Sequence, residues 1–295
     1  MKTAVKFFIP TVLAFTALEA CERLSTPSGD RQISVQATIG TMTRVTAAGN
    51  QSVFETGDAI SIFAWTGSAD AVPATRVVDG VRSTLGADGA WTPASPMLWQ
   101  DMVAKHYFVG VCPPRTVTDF KADPYTLDPA DYAASDLLVA ANLTGLQASD
   151  KPVEFVFDHV LARLDVNLSF RNQWEATPAV TSVAATAKKD ATLDYLSKTL
   201  TATGTAADVA LKAVSNVAWS GLQVPQAGVS DITVVIDGKI YVYTHTADIP
   251  LAGGRYTTVN LVLGRDSIEL ASPITISDWA SQGDAIDGDI FKPNA

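Results

Sequence analysis

The chain has 295 residues, of which 47% are hydrophobic and 18% are charged. A chain of this length and composition builds one large or two medium domains, and we expect two; it is too apolar for a disordered protein. Lys and Arg number 21 against 31 Asp and Glu, a formal net charge of −10. Most of the surface therefore repels polyanions, and nucleic acid is not expected as a partner.

The first twenty residues have the pattern of a signal peptide. Lys2 and Lys6 precede an apolar run from Phe7 to Leu18, and the small residue Ala20 follows. The run is too short for a membrane-spanning helix, which needs about 20 apolar residues. We therefore expect export and removal of residues 1–20.

The residue after this segment is a cysteine. Leu18-Glu19-Ala20-Cys21 resembles the bacterial lipobox, in which the cysteine is lipidated and becomes the mature N-terminus, although Glu19 replaces the usual small residue. Acyl chains anchor a protein because each buried methylene contributes about 0.8 kcal/mol. Residues 21–32 are expected to form a flexible tether. With Cys21 lipidated, Cys112 has no disulfide partner and is expected to be a small core residue.

The dominant period after the tether is two residues, which is typical of β-strands. Ile33, Val35, Ala37 and Ile39 alternate with polar residues, and a broadly apolar run follows around Ile60. Turn signals separate the later strands predicted by the sequence. These later strands are His106–Val111, Asp136–Ala141, Val153–Phe157, Leu164–Phe170, Ile232–Ile236, Ile240–Thr246, Tyr256–Leu263 and Ile274–Ile276.

The arrangement of these elements predicts an all-β fold of antiparallel β-sandwiches. A meander is predicted for three of these strands, with its first turn at Asp237-Gly238. The three strands are Ile232–Ile236, Ile240–Thr246 and Tyr256–Leu263. Short helical turns are expected within 130–138 and 159–164. The weakest hydrophobic stretch, 147–151, predicts a boundary between an N-terminal domain, 33–148, and a C-terminal domain, 149–295.

Residue patterns for catalysis or metal binding are missing from the sequence. The three histidines, His106, His159 and His245, stand in no recognisable motif and are expected to bond to strand neighbours. The acidic group around Gly288 lacks EF-hand spacing. We therefore expect no enzyme activity, no cofactor and no metal site. Most of the six tryptophans are expected to fill cores, although exposed rings could stack on sugars.

Several segments, taken in order, are similar to the fimbrillin family of Bacteroidales, the pilins of type V pili. The most specific lies in Val153–Leu164, with its Phe-x-His-x-x-Ala-Arg-Leu pattern. The others are the signal ending at Cys21, Ile33–Thr46, Phe54–Ala64, Gly89–Trp91, Leu98-Trp99, Lys105–Phe108, Asp136–Ala140 and Ile276–Trp279. Together they cover almost the entire chain.

The resemblance implies two transthyretin-like β-sandwich domains in tandem and a precursor lipid-anchored to the outer membrane, which then joins an extracellular fimbrium. An arginine-specific protease would cut between Arg44 and Val45, with Arg31 as the fallback site. The cut would release the strand carrying Ile33, Val35, Ala37 and Ile39 and open a groove for a strand from another fimbrial subunit. Without such processing, this strand is simply the edge strand of a monomer.

The resemblance leaves several features open. The donor strand could carry Ile268 and Leu270, or Ile274 and Ile276, and the subunit could be a stalk, anchor or tip subunit. Asp266-Ser267-Ile268 resembles a short O-glycosylation pattern, which makes Ser267 a candidate acceptor. Alternative functions are a tip adhesin that binds glycans or host proteins, and a surface glycan-binding lipoprotein that never polymerises.

Overall fold

The computed structural model describes residues 32–40 and 53–278, and strands dominate this part of the chain. The all-β prediction is confirmed, since one short helix, α1 (Tyr132–Ser135), accompanies the strands. The strands are β1 (Val35–Ile39), β2 (Ala59–Thr66), β3 (Val78–Leu85), β4 (Trp91–Pro93), β5 (His106–Cys112), β6 (Asp123–Thr126), β7 (Leu138–Leu146), β8 (Val153–His159), β9 (Ala162–Phe170), β10 (Val180–Ala187), β11 (Asp190–Asp194), β12 (Thr199–Thr203), β13 (Ala207–Ala210), β14 (Lys212–Ser215), β15 (Ala218–Gln223), β16 (Asp231–Ile236), β17 (Lys239–Thr244), β18 (Arg255–Leu263), β19 (Ile268–Leu270) and β20 (Thr275–Asp278).

The first sheet has seven strands in the order β1-β8-β7-β5-β2-β3-β4. Its interior strand β2 is buried on both faces: Ile60 and Ile62 belong to one core cluster, and Phe63 and Trp65 to the other. This two-sided burial explains why the sequence there reads as a continuous apolar run instead of a strict alternation.

Three further sheets contain the remaining strands. Their orders are β13-β10-β16-β17, β12-β11-β6, and β14-β15-β9-β18-β19 with β20 also paired to β18. Strand pairing crosses the predicted boundary between 148 and 149 in both directions: β8 joins the first sheet, and β6 pairs with β11. The division into the ranges 33–148 and 149–295 stays a prediction.

The predicted hairpin at Asp237-Gly238 is confirmed by the pairing of β16 with β17. Both turn residues have positive φ, 48° and 77°, as a two-residue turn matching the strand twist requires. The predicted position of the third strand of the meander is wrong, because β18 pairs in parallel with β9 and not with β17. Alternation in β18 marks its buried face, but it carries no information about which strand lies beside it.

The two predicted helical turns have different outcomes. The first is confirmed as α1, where the Asp131 carboxylate accepts a hydrogen bond from the Ala134 amide at 3.0 Å and caps the helix. The second is wrong, because His159 ends β8 and residues 162–170 form β9. Short apolar runs are ambiguous between helix and strand, and tertiary packing decides them.

Cys112 is buried and free, as predicted for a small core residue. Burial raises the pKa of its thiol well above the ordinary value, and the nearby Asp58 and Asp136 charges act in the same direction. The thiol is therefore not a nucleophile at neutral pH. No helix in the described ranges 32–40 and 53–278 is long and apolar enough to cross a membrane.

Small residues in β5 and β7 make room for the aromatic side chains of β8. Gly110 pairs with Ala140, and a Cβ at Gly110 would stand 2.7 Å from Cζ of Phe157 and 3.2 Å from Cδ1 of Phe155. Both rings are at most 1% exposed, so they cannot swing into solvent to relieve the contact.

We expect Gly110→Ala to lower the free energy of unfolding by about 1–3 kcal/mol, because the added methyl overpacks the core. Urea denaturation of the full chain measures this. Phe157→Leu provides the matched test: if the clash with the ring is the cause, the double variant loses less stability than the two single variants combined. Strict additivity would contradict this explanation.

Candidate strand-release groove

The strand carrying the predicted plug residues lies at one edge of the seven-stranded sheet. β1 runs parallel to β8, with Val35 opposite Val153 and Ile39 opposite Phe157. Flanking hydrogen bonds extend the ladder: the Val153 amide donates to the Ser34 carbonyl at 2.8 Å, and the Gly40 amide donates to the Phe157 carbonyl at 2.7 Å. β8 therefore holds β1 over the strand's full length.

A second segment holds the start of this strand. The Ile33 amide donates to the Met97 carbonyl at 2.7 Å, and Gln32 forms an isolated antiparallel bridge with Leu98. The chain thus enters the fold between β8 and the segment that carries Met97.

Alternation in β1 places its apolar side chains on one face. Ile33 and Val35 are 3% and 8% exposed, Ala37 and Ile39 are half-buried, and the polar residues between them are exposed. The four apolar residues pack in the same core cluster as β8.

Beside β1 in the sheet lies an apolar surface that we call the β1 slot, formed by the β8 residues Val153, Phe155 and Phe157, which stand opposite Val35, Ala37 and Ile39. These three residues are at most 1% exposed while β1 is in place. Loss of β1 would leave them facing water, together with the backbone groups along the edge of β8.

Phe54 borders the β1 slot at its far end, a position that strand periodicity did not reveal. Its ring makes edge-to-face contacts with Trp91 at 5.2 Å and Phe157 at 5.3 Å between centroids. A groove of about 620 Å³ runs beside β1, lined by residues of that strand and by Phe54, Leu85 and Trp91.

The predicted processing residues lie outside the described part of the chain. Arg44 and Val45 fall in the interval 41–52, between Gly40 at the end of β1 and Val53. Cys21 and Arg31 precede the first described residue. Their roles stay predictions.

Both candidate donor segments pair with the same strand, β18. β19 meets its C-terminal part, with Ile268 opposite Leu263, and β20 meets its N-terminal part, with Ile276 opposite Thr257. Ile276 is 38% exposed, whereas Ile268, Leu270 and Ile274 pack on the larger core. Of the two segments, β20 is the less buried.

Ser267 lies in the turn between β18 and β19, as expected for an exposed connection. Its carbonyl accepts from the Gly264 amide at 2.9 Å, and its side chain is half-buried. The turn is fastened to β17 by an ion pair of 2.6 Å between Lys239 and Asp266. Its role as a glycosylation acceptor stays a prediction.

The three histidines bond to neighbouring groups, as predicted. Nε2 of His106 accepts from the Gln100 amide at 3.0 Å and its Nδ1 lies 3.0 Å from the Ala104 carbonyl. His159 pairs with Asp136 at 2.9 Å, and His245 with the Tyr243 hydroxyl at 2.6 Å. Among residues 32–40 and 53–278, no group of three His, Cys, Asp or Glu could hold a metal ion; the acidic group around Gly288 lies outside these ranges.

Most described tryptophans are core residues, as predicted. Trp65, Trp99 and Trp219 are at most 7% exposed. Trp91 and Trp174 are half-buried, and Trp279 lies outside the described residues. The described part of the chain therefore has no tryptophan with a fully exposed ring for stacking on a sugar.

We expect Val35→Asp to loosen β1, because Val35 is buried opposite Val153 in the smaller core cluster, where a carboxylate has no partner. Hydrogen exchange of the β8 amides that face β1 should accelerate at least about tenfold, which corresponds to about 1.4 kcal/mol. Gln36→Asp is the matched control, since Gln36 is exposed on the same strand. Equal exchange in both variants would mean that the apolar contacts do not hold β1.

Comparisons with known proteins agree with this architecture. A family model described as Fimbrillin-like matches residues 43–279, and no curated protein matches. A candidate cell adhesion protein from Bacteroides uniformis is similar over 85% of this chain and 100% of its own, with a TM-score of 0.63 and 21% identity. Another candidate cell adhesion protein, from Bacteroides ovatus, has a TM-score of 0.63 and 16% identity, and the match covers 84% of this chain and 97% of that protein. A fimbrial protein from Bacteroides vulgatus has a TM-score of 0.51 and 13% sequence identity, and the match covers 83% of this chain and 99% of that protein. These structures share the fold, and the match to the family model over most of the sequence shows that this chain belongs to the fimbrillin-like family.

Proposed function

We propose that this protein is a structural subunit of a cell-surface fimbria that assembles by strand exchange. In this proposal a protease cuts after Arg44, β1 leaves the β1 slot, and a strand from a neighbouring subunit takes its place. The observation that supports it best is the position of β1, an edge strand beside three β8 residues that are at most 1% exposed while β1 is in place. Membership of the fimbrillin-like family agrees with this role.

The energetics favour replacement of β1 over an empty slot. Burying one aliphatic side chain contributes about 1.5–3 kcal/mol, and β1 buries Ile33 and Val35 almost completely. Its loss also leaves unpaired amide and carbonyl groups along β8, which are a template for another strand. A processed subunit therefore gains free energy by accepting an apolar strand from a second subunit.

The position of Arg44 suits this mechanism. It follows the end of β1 at Ile39 and precedes the next described residue, Val53. A cut there leaves β1 attached to the domain only by noncovalent contacts, whereas a cut after Arg31 would leave β1 covalently joined to the rest of the chain. Only the first cut makes β1 exchangeable.

The same cut would release the subunit from its membrane. With lipid on Cys21, residues 21–44 carry both the anchor and the plug strand. The precursor would thus stay on the outer membrane until an arginine-specific protease acts, and then join the extracellular fimbrium. Its partners would be other fimbrial subunits, with β20 the more exposed candidate donor, and the fimbria would contact host or bacterial glycans or proteins. The role is structural and not enzymatic.

We expect Arg44→Ala to keep the precursor monomeric after limited trypsin treatment. Wild-type protein should give a product that begins at Val45, detected by mass spectrometry, and should then shift to larger species in size-exclusion chromatography. Arg31→Ala is the control and should polymerise like the wild type. Filaments formed by Arg44→Ala would overturn the mechanism. A Val45 product that stays monomeric at high concentration would instead favour a tip or non-polymerising role.

We expect Cys21→Ser to remove the acyl mass and to release the protein from the membrane fraction, since anchoring depends on buried methylenes. Mass spectrometry of the N-terminal peptide and membrane fractionation measure these two effects. Cys112→Ser is the matched control, because the Cys112 thiol is buried and free. Membrane attachment that persists without Cys21 would refute the lipid anchor.

A further inference from the structure

Exposed apolar side chains cluster in the loop that precedes β5. Leu98, Met102 and Val103 are 49%, 48% and 76% exposed. Contiguous apolar groups on a protein surface mark a contact with another molecule or with a membrane. We call residues 98–104 the end loop.

Hydrogen bonds to polar groups hold the end loop in a conformation that leaves its apolar side chains exposed. The carboxylate Oδ1 of Asp101 accepts from the amides of Val103 at 2.8 Å and Ala104 at 2.6 Å. These bonds form a turn that projects Met102 and Val103 outward.

Buried His106 ties both sides of this turn together. Its ring bonds the Gln100 amide and the Ala104 carbonyl, each at 3.0 Å, and it has no solvent exposure. The Gln147 side chain adds a bond of 2.9 Å to the Val103 carbonyl. The apolar side chains are therefore presented by a preorganised loop, which lowers the entropic cost of binding.

The chain enters the fold beside this loop. Gln32 bridges Leu98, and the Ile33 amide bonds the Met97 carbonyl. Residues 22–31 separate Cys21 from this point, and ten residues span at most about 35 Å when extended. A lipid on Cys21 would therefore keep the end loop close to the bilayer at all times, at a high effective concentration.

We infer that in the anchored precursor the end loop inserts Leu98, Met102 and Val103 into the lipid surface. This inference rests on the proposed lipidation of Cys21, because the anchor brings this end of the molecule to the membrane. Apolar side chains at an interface lie at the boundary of headgroups and acyl chains. Lys105 and Lys151 are exposed and precede β5 and β8, and long cationic side chains of this kind can reach headgroups.

Oxidation of methionine provides a direct test, since Met102 is exposed and Met97, at 2% exposed, is an internal control. The chain from Cys21 to Ala295 is coupled through the Cys21 thiol to maleimide lipid in vesicles of phosphatidylethanolamine and phosphatidylglycerol. The reference is the same protein capped with a soluble maleimide. We expect peroxide to oxidise Met102 at least about fivefold more slowly on vesicles, measured by peptide mass spectrometry.

Variants separate insertion from simple shielding by the vesicle. Leu98→Ser with Val103→Ser should bring oxidation of Met102 on vesicles to within about twofold of the rate in solution. Ile240→Ser with Val242→Ser is the matched control, because these residues are 64% and 52% exposed on β17, and it should retain full protection. All four substituted side chains are exposed, so thermal melts of the variants should match the wild type.

Three outcomes would overturn the inference. The first is equal oxidation of Met102 on vesicles and in solution, and the second is protection that survives Leu98→Ser with Val103→Ser. The third is protection of the capped protein that grows with its concentration, which would assign the loop to a second copy of this chain. Because coupling to lipid is chemical, these results do not depend on lipidation in the cell; absence of acyl mass on Cys21 from cells would instead overturn the proposed anchor.

Discussion

The pairing of β1 with β8 is the contact on which the proposed assembly depends. β8 carries Phe155 and Phe157, two of the large fully buried side chains of the first sheet. Their rings lie close to the small residue Gly110, and Ala37 and Ile39 of β1 stand opposite them in the sheet. A sheet that ended at β8 would expose these rings and an unpaired backbone edge to water, which disfavours an empty β1 slot.

Burial on both faces gives the first sheet its rigidity. One face packs against the larger core, which also contains residues of the later sheets, and the other faces the smaller cluster that includes β1. Exchange of an edge strand disturbs only the smaller cluster. In the proposed exchange, the larger core would therefore keep the fold intact while β1 is replaced.

Local patterns predicted much of the fold, and distant pairings account for what they missed. The alternation of Ile33, Val35, Ala37 and Ile39 fixed the buried face of β1 correctly, and Asp237-Gly238 fixed the hairpin. The neighbour of β18 could not be predicted, because period-two patterns record burial and not strand order. Phe54 was likewise missed as part of the groove, since its packing on Trp91 and Phe157 joins segments far apart in sequence. The candidate processing residues came from family resemblance, and no local physical signal distinguishes Arg44 from other arginines.

The parallel ladder joins residues that are made at very different times. Val35 meets Val153 more than a hundred residues later in the chain, so β1 is synthesised well before its partner. Closing so large a loop is slow compared with local hairpin formation. β1 is therefore expected to be among the last strands to dock. In the proposed mechanism a cut after Arg44 during this interval would remove the strand before the fold was complete, so the proposed maturation would require that folding finish before the chain meets its protease.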